Sequence, residues 1–169
     1  MEIRKSTEAD FSRIMEIYAY ARKFMADNGN PNQWGPTNWP PEDLIHSDIA
    51  EGSSYVCVNN GIVVGTFFFL YGKDDPTYNI IYDGAWIEHS PYGVVHRLAG
   101  DGSIKGIAEC CLNWALEQCG HLRVDTHGDN KVIQNIMKKL KFTHCGTIYV
   151  EEDNYPRLAY EKISSREGL

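Results

Sequence analysis

Between Gly93 and Gln118 the hydrophobic period changes from two to 3.6 across a turn that holds three glycines. Gly93 to Ala99 reads as a strand rich in β-branched residues, and Gly100, Gly102 and Gly106 punctuate the turn. A helix over about Ile104–Gln118 follows, with Ile104, Ile107, Ala108, Cys111, Leu112 and Ala115 on one face. Leu122 to His127 is the next strand. A strand, a helix and a strand joined by short turns form a βαβ crossover, which commits this part of the chain to a sheet with a parallel pair.

The remaining elements hang on that unit. Residues 7–26 carry Phe11, Ile14, Met15, Tyr18, Ala21 and Met25 at helical spacing and end at Asp27-Asn28-Gly29-Asn30-Pro31, a clear stop. Glu42 to Ala50 reads as a second helix. Tyr55–Val58, the turn Asn59-Asn60-Gly61 and Ile62–Leu70 read as an antiparallel hairpin. Tyr78 to Trp86 is a further extended stretch. Lys131–Leu140 is a helix with Ile133, Ile136, Met137 and Leu140 inward, and strands near Thr143–Val150 and Arg157–Lys162 close the chain. The predicted order is α-α-β-β-β-β-α-β-α-β-β, a mixed α/β sheet in one domain spanning residues 1–169.

Composition narrows the function. Lys and Arg number 16 against 23 Asp and Glu, a formal charge of −7. That argues against a nucleic acid partner, which needs a concentrated positive surface. The apolar run Ile62–Leu70 is far shorter than the roughly 20 residues that cross a bilayer, so no membrane role is expected. The N-terminus shows no signal-peptide pattern, and five cysteines without a CxxC pair read as reduced thiols, so the expected location is cytoplasmic. Asp125-Thr126-His127-Gly128-Asp129 alternates ligand types, yet no second cluster supports a metal.

The glycine turn is an anion cradle, because the first N–H groups of a helix lack intrahelical partners and sit at the positive end of its dipole. Three phosphate-binding patterns compete for it. A P-loop does not fit, since Lys105 precedes Gly106 and no Ser or Thr follows. A dinucleotide fingerprint finds Gly100, Gly102 and Gly106 with Asp125 about 25 residues on, which would make the chain an NAD(P)-binding protein. Such domains place the motif on their first strand, whereas four probable strands precede it here. The third pattern is [RQ]-x-x-G-x-[GA], which falls at Ser103-Ile104-Lys105-Gly106-Ile107-Ala108 with Ser103 in the leading position. After it come the strand Leu122–His127 and a helix opened by Asn130 and ending at Lys141-Phe142, similar to an Asn with Gly-Phe about eleven residues later.

These motifs and the element order resemble the Gcn5-related N-acetyltransferase (GNAT) superfamily over nearly the whole chain, from Ile3 to about Ile163. The resemblance implies a mostly antiparallel sheet of six to seven strands with a central V-shaped splay, flanked by about four helices. It implies acetyl-CoA as cosubstrate, with its pantetheine paired to the backbone of Leu98 and Ala99, its pyrophosphate on N–H groups from Ser103, Ile104, Lys105, Gly106, Ile107 and Ala108, and its arm held by Asn130. Asn is also a strong helix cap, so Asn130 has a structural role available. The implied partner is a small-molecule amine, and the protein is a monomer or homodimer. A non-catalytic acyl-CoA-binding module is the alternative reading.

The reaction needs a base for the amine, a donor for the thioester oxygen and a proton for the thiolate. His96 is the first choice of base, sharing strand parity with Leu98; its alternative is a hydrogen-bonded structural histidine. Asp125 and Glu88 are carboxylate candidates, though Asp125 can equally pair with Arg123. The family's usual tyrosine acid falls at Met137, so Tyr149, Tyr155 or water is left to substitute. The segment 28–41 carries Trp34 and Trp39, which either pack back onto the core or wall an acceptor pocket together with Tyr82, Asp83 and Trp86.

Overall fold

The computed structural model describes residues 1–151 and 153–164. Seven strands form one sheet: β1 (Glu2–Lys5), β2 (Ser54–Asn59), β3 (Ile62–Tyr71), β4 (Gly93–Gly100), β5 (His121–His127), β6 (Thr143–Tyr149) and β7 (Pro156–Ile163). Their order across the sheet is β1-β2-β3-β4-β5-β7-β6. Only β4 and β5 run parallel; every other neighbouring pair is antiparallel. The helices are α1 (Phe11–Asp27), α2 (Glu42–Glu51), α3 (Ile107–Cys119) and α4 (Lys131–Lys139).

Strand alternation assigns the helices to faces. On β2, Val56 joins Ile14, Ile17, Tyr18 and Ile45 of α1 and α2, while its neighbour Cys57 joins Ile107, Cys111 and Leu112 of α3. Adjacent strand residues point to opposite sides, so α1 and α2 cover one face, and α3 and α4 the other. Each of the large side chains so buried stabilises the fold by about 1.5–3 kcal/mol relative to exposure. A third cluster forms where the loop between β3 and β4 lays Tyr78, Trp86 and Tyr92 on Val94, Cys145, Ile148 and Ala159.

Four elements differ from expectation. β1 precedes the first helix and was not foreseen, because its four residues hold a single apolar side chain, Ile3. Residues 8–10 form a separate 3₁₀ turn ahead of α1. α3 starts at Ile107 rather than Ile104, because Gly106 has φ +87°, outside the helical region. Tyr78–Trp86 is not a strand: a 3₁₀ turn at Pro76–Tyr78 leads into a loop joined to β6 by the Tyr82–Thr147 bridge and by the Ala85 N–H on the Cys145 carbonyl (3.1 Å). Gly84 lets that loop lie on β6, since a Cβ there would stand 1.9 Å from the Cys145 carbonyl oxygen.

The sheet divides at its centre. β4 and β5 pair only at Gly93–Leu122, Val94–Arg123 and Val95–Val124. Beyond Val95 the register of β4 against β3 jumps from His96–Phe68 to Ala99–Thr66, which sets Arg97 and Leu98 together opposite Phe67. Arg97 takes φ +54° in this bulge. A bulge bends its strand, and here β4 turns away from β5 and opens a splay beginning at His96 and Asp125.

Candidate active site

Two cavities meet at the splay, of about 400 Å³ and about 240 Å³, and share Met25, Trp34, Leu98, Asn130 and Ile133 as common wall. The smaller one has apolar sides from Tyr20, Phe24, Val132 and Ile136 and a base formed by Gly102, Gly106, Ile107 and Ala108. Among the described residues, no hydrogen bond uses the backbone N–H groups of residues 104–109; the first bond of α3 runs from the Cys110 N–H to the Gly106 carbonyl. Such a row of unpaired donors at the positive end of a helix suits a pyrophosphate. The turn itself is fixed from outside. Asp101 accepts from the Ser103 N–H (2.9 Å) and hydroxyl (2.6 Å), and Arg13 holds the other Asp101 oxygen at 2.6 Å.

Polar groups converge in the larger cavity. His96 Nε2 lies 2.6 Å from Asp75 Oδ2, and His96 Nδ1 lies 3.7 Å from Asp125 Oδ2. The Tyr78 hydroxyl donates to that same Asp125 oxygen at 2.6 Å. Asp75 is fixed twice more, because its Oδ1 accepts from the Thr77 N–H (2.9 Å) and its own N–H donates to the Tyr92 hydroxyl (2.8 Å). Burial alone would raise the Asp75 carboxyl, yet the hydrogen bond and charge of His96, with the Thr77 donors, hold it below its ordinary value. Burial, and then the Asp125 charge, push the Tyr78 hydroxyl well above its ordinary value. On the opposite wall Arg97 donates to Asp48 at 2.6 Å and lies 4.7 Å over the Phe68 ring. Burial raises the Asp48 carboxyl in spite of Arg97.

An acetyltransferase of the GNAT family from Streptococcus agalactiae has the same architecture, with a TM-score of 0.88 and 28% identity over 98% of this chain and 96% of that one. The chain has the fold of the Gcn5-related N-acetyltransferase superfamily. A GNAT-family acetyltransferase from Listeria monocytogenes aligns at a TM-score of 0.68 and 14% identity, over 96% of this chain and 94% of that one. A ribosomal-protein-alanine N-acetyltransferase from Brucella melitensis aligns at 0.64 and 17%, over 96% and 99%. No protein-family model matches the sequence, and no curated protein matches it.

Within this GNAT fold the residues singled out from sequence divide by place. His96 and Asp125 line the larger cavity, Ala99, Ile104, Gly106, Ile107 and Ala108 line the smaller, and Trp34 and Leu98 line both. Ser103 and Lys105 stand in the turn but off the cavity wall. Asn130 lines both cavities, and both atoms of its amide are engaged: Oδ1 caps the Ile133 N–H at 3.1 Å and Nδ2 donates to Gln33 Oε1 at 3.0 Å.

The other assignments are corrected. Trp39 reaches neither cavity; its carbonyl accepts from Arg22 at 2.9 Å. Tyr82 and Tyr149 are exposed and pack edge to face against each other on the outer surface. Asp83 is exposed on the loop beside them. Trp86 is buried with its ring 4.2 Å from the Arg123 guanidinium, so its role is packing. Glu88 contributes its carbonyl to Arg123 at 2.7 Å and leaves its carboxylate in solvent. Arg123 pairs with Glu161, not Asp125. Sequence reasoning missed Asp75, Tyr78, Asp48 and Arg97. A readable signal existed for one of them, because Asp75-Pro76-Thr77 is a helix-start signature that orders the Asp75 carboxylate.

Proposed function

We propose that this chain transfers an acetyl group from acetyl-CoA to the primary amine of a small molecule, as a cytoplasmic enzyme. The observation that carries the reading is the meeting of the two cavities: a base-bearing cavity on one side of the splay opens onto an anion cradle on the other. Acetyl-CoA would rest its pyrophosphate on the N–H groups of residues 104–109 and run its pantetheine past Leu98 and Ala99. The residues present fit that ligand, since among the described residues nothing takes those donors and a Cβ at Gly106 would meet only the Glu109 carboxylate, at 3.4 Å.

An ammonium entering the larger cavity has two acceptors 3.7 Å apart, Asp125 Oδ2 and His96 Nδ1, and one nitrogen can donate to both. His96 takes a proton, Asp125 and Asp75 stabilise the resulting imidazolium, and the neutral amine attacks the thioester carbon. The carbon–sulfur bond breaks as the tetrahedral centre collapses, and the thiolate takes a proton on leaving. Backbone N–H groups at the β4 bulge serve the developing oxyanion. No cysteine lines either cavity, which favours direct attack over an acyl-enzyme. Met137, buried at the position of the family's usual tyrosine, supplies no proton, so water is the acid in this scheme.

The test is steady release of CoA thiol from acetyl-CoA across a panel of amines. Turnover with any of them upholds the reading; tight acetyl-CoA binding without turnover makes the chain a binding module. Gly106→Glu is expected to abolish acetyl-CoA binding by calorimetry, because the new carboxylate stands in the cradle beside Glu109. The variant should stay folded by circular dichroism, with a cost of about 1–2 kcal/mol for a side chain at left-handed φ. Unchanged affinity would overturn the cradle assignment. Trp34→Ala is expected to raise KM for both amine and acetyl-CoA, since that indole lines both cavities. Unchanged values of both in steady-state kinetics would make Trp34 a packing residue for Tyr18, whose ring it meets at 5.8 Å.

A further inference from the structure

His96 stands between two carboxylates, and the two contacts differ in kind. The Asp75 contact is a hydrogen bond of 2.6 Å, whereas the Asp125 contact, at 3.7 Å, is too long to be one. An ionised carboxylate only accepts, so the ring nitrogen facing Asp75 carries the hydrogen. We infer that Asp75 is a positioning residue: it takes the Nε2–H of His96 and so fixes the tautomer in which Nδ1 is the free base, facing Asp125. The inference rests on the reading of His96 as the base and assigns which of its nitrogens works.

The surroundings make Asp75 suited to this role. Its carboxylate cannot swing, because Thr77 N–H holds Oδ1 while Oδ2 meets the ring, and Tyr92 holds its backbone. Its charge is retained, since the carboxyl stays below its ordinary value despite burial. The other charged and titratable groups facing His96 come from different elements. Asp125 on β5 has one oxygen occupied by Tyr78, and Asp48 on α2 is neutralised by Arg97. Neither carboxylate accepts from the ring within hydrogen-bond distance, so only Asp75 chooses the tautomer. The arrangement works as a relay without transfer of the second proton: Nδ1 accepts from the amine, and Asp75 stabilises the imidazolium without itself becoming protonated.

The decisive variant is Asp75→Asn. Its Oδ1 can still cap the turn at Thr77, which keeps the fold, while its amide presents hydrogens to Nε2 and imposes the opposite tautomer. Nitrogen-15 spectra of the histidine rings, recorded well above histidine's ordinary titration, read this directly. The signal of His96 is identified among the six histidines by its loss in His96→Gln. The wild-type protein is expected to show a protonated Nε2 and a bare Nδ1, and Asp75→Asn the reverse. Its kcat should fall by about 10²–10⁴-fold with KM for acetyl-CoA unchanged. Asp75→Ser, which caps the turn but cannot reach the ring, should show both tautomers and a smaller loss. A wild-type Nδ1–H tautomer, an unchanged tautomer in Asp75→Asn, or a reversed tautomer with undiminished kcat would each overturn the inference. A chain inactive with every amine overturns the transferase reading instead, and the nitrogen spectra alone then judge the role of Asp75.

Discussion

His96→Ala is expected to lower kcat by roughly 10²–10⁴-fold, the span that a positioned general base contributes. The loss falls on kcat rather than on acetyl-CoA binding, because His96 lines the amine cavity and not the cradle. The limb of the pH–rate profile that the base contributes should disappear with the ring. The fold should tolerate the change, since the ring is partly exposed and closes no core cluster. Stopped-flow thiol release and a pH series on both proteins check it. A variant that keeps both rate and profile would move the base to Asp125, which lines the same cavity.

Glu161→Ala is expected to destabilise the protein by about 3–5 kcal/mol, the largest single effect on folding proposed for this chain. Glu161 is fully buried, and its carboxylate accepts from the Ile87 N–H at 2.7 Å, from Arg123 Nε at 3.1 Å and from the His121 ring. Arg123 is in turn enclosed by Trp86 and Tyr92, their ring centres 4.2 and 4.0 Å from its guanidinium. Truncation takes the acceptor from Arg123 Nε, from the His121 ring and from the Ile87 N–H, and leaves the buried guanidinium without its counter-charge. Burial would raise the Glu161 carboxyl, but these hydrogen bonds hold it below 4.5. A lowered carboxylate stabilises the folded state above its unfolded value and loses that contribution as pH falls through the folded one. Wild-type stability should therefore decline below about pH 4.5, and Glu161→Ala should lack that part of the decline. Urea titrations of both proteins at pH 7 and across the acid range decide it; equal midpoints at pH 7 would refute the account.

The legible parts of the fold were those with a sustained period. α1, α2 and α4, the β2–β3 hairpin and the strands β5 to β7 all announce themselves through spacing, and the βαβ crossover follows from adjacency. β1 escaped because four residues with one apolar side chain carry no period. Tyr78–Trp86 misled because its aromatic and β-branched content suits a strand, while Trp86 is buried against Arg123 and Tyr78, and Gly84 lets the loop lie on β6. The site divides on the same principle. Strand parity pointed to His96 and Asp125 because a strand fixes where its side chains point. Glu88 and Asp83 were misplaced because a loop carboxylate has no such constraint. Asp75 and Tyr78 reach their partners across 21 and 47 residues of chain, through a loop path that no local pattern encodes.

The short seam between β4 and β5 has a consequence for how the molecule opens. Three residue pairs join the half-sheet β1–β4 to the half-sheet β5–β7–β6, whereas pairing inside each half runs the length of its strands. Partial opening along so short a seam is expected at a lower free energy than global unfolding. Tyr78–Asp125 and Gln33–Asn130 are hydrogen bonds that span the same divide from either side, so they resist that opening as clasps. A ligand seated in the splay touches both halves and closes the joint further. The joint along which the halves are expected to part is thus the place proposed for the ligand, and occupancy there should be felt as slower amide exchange on strands the ligand never touches.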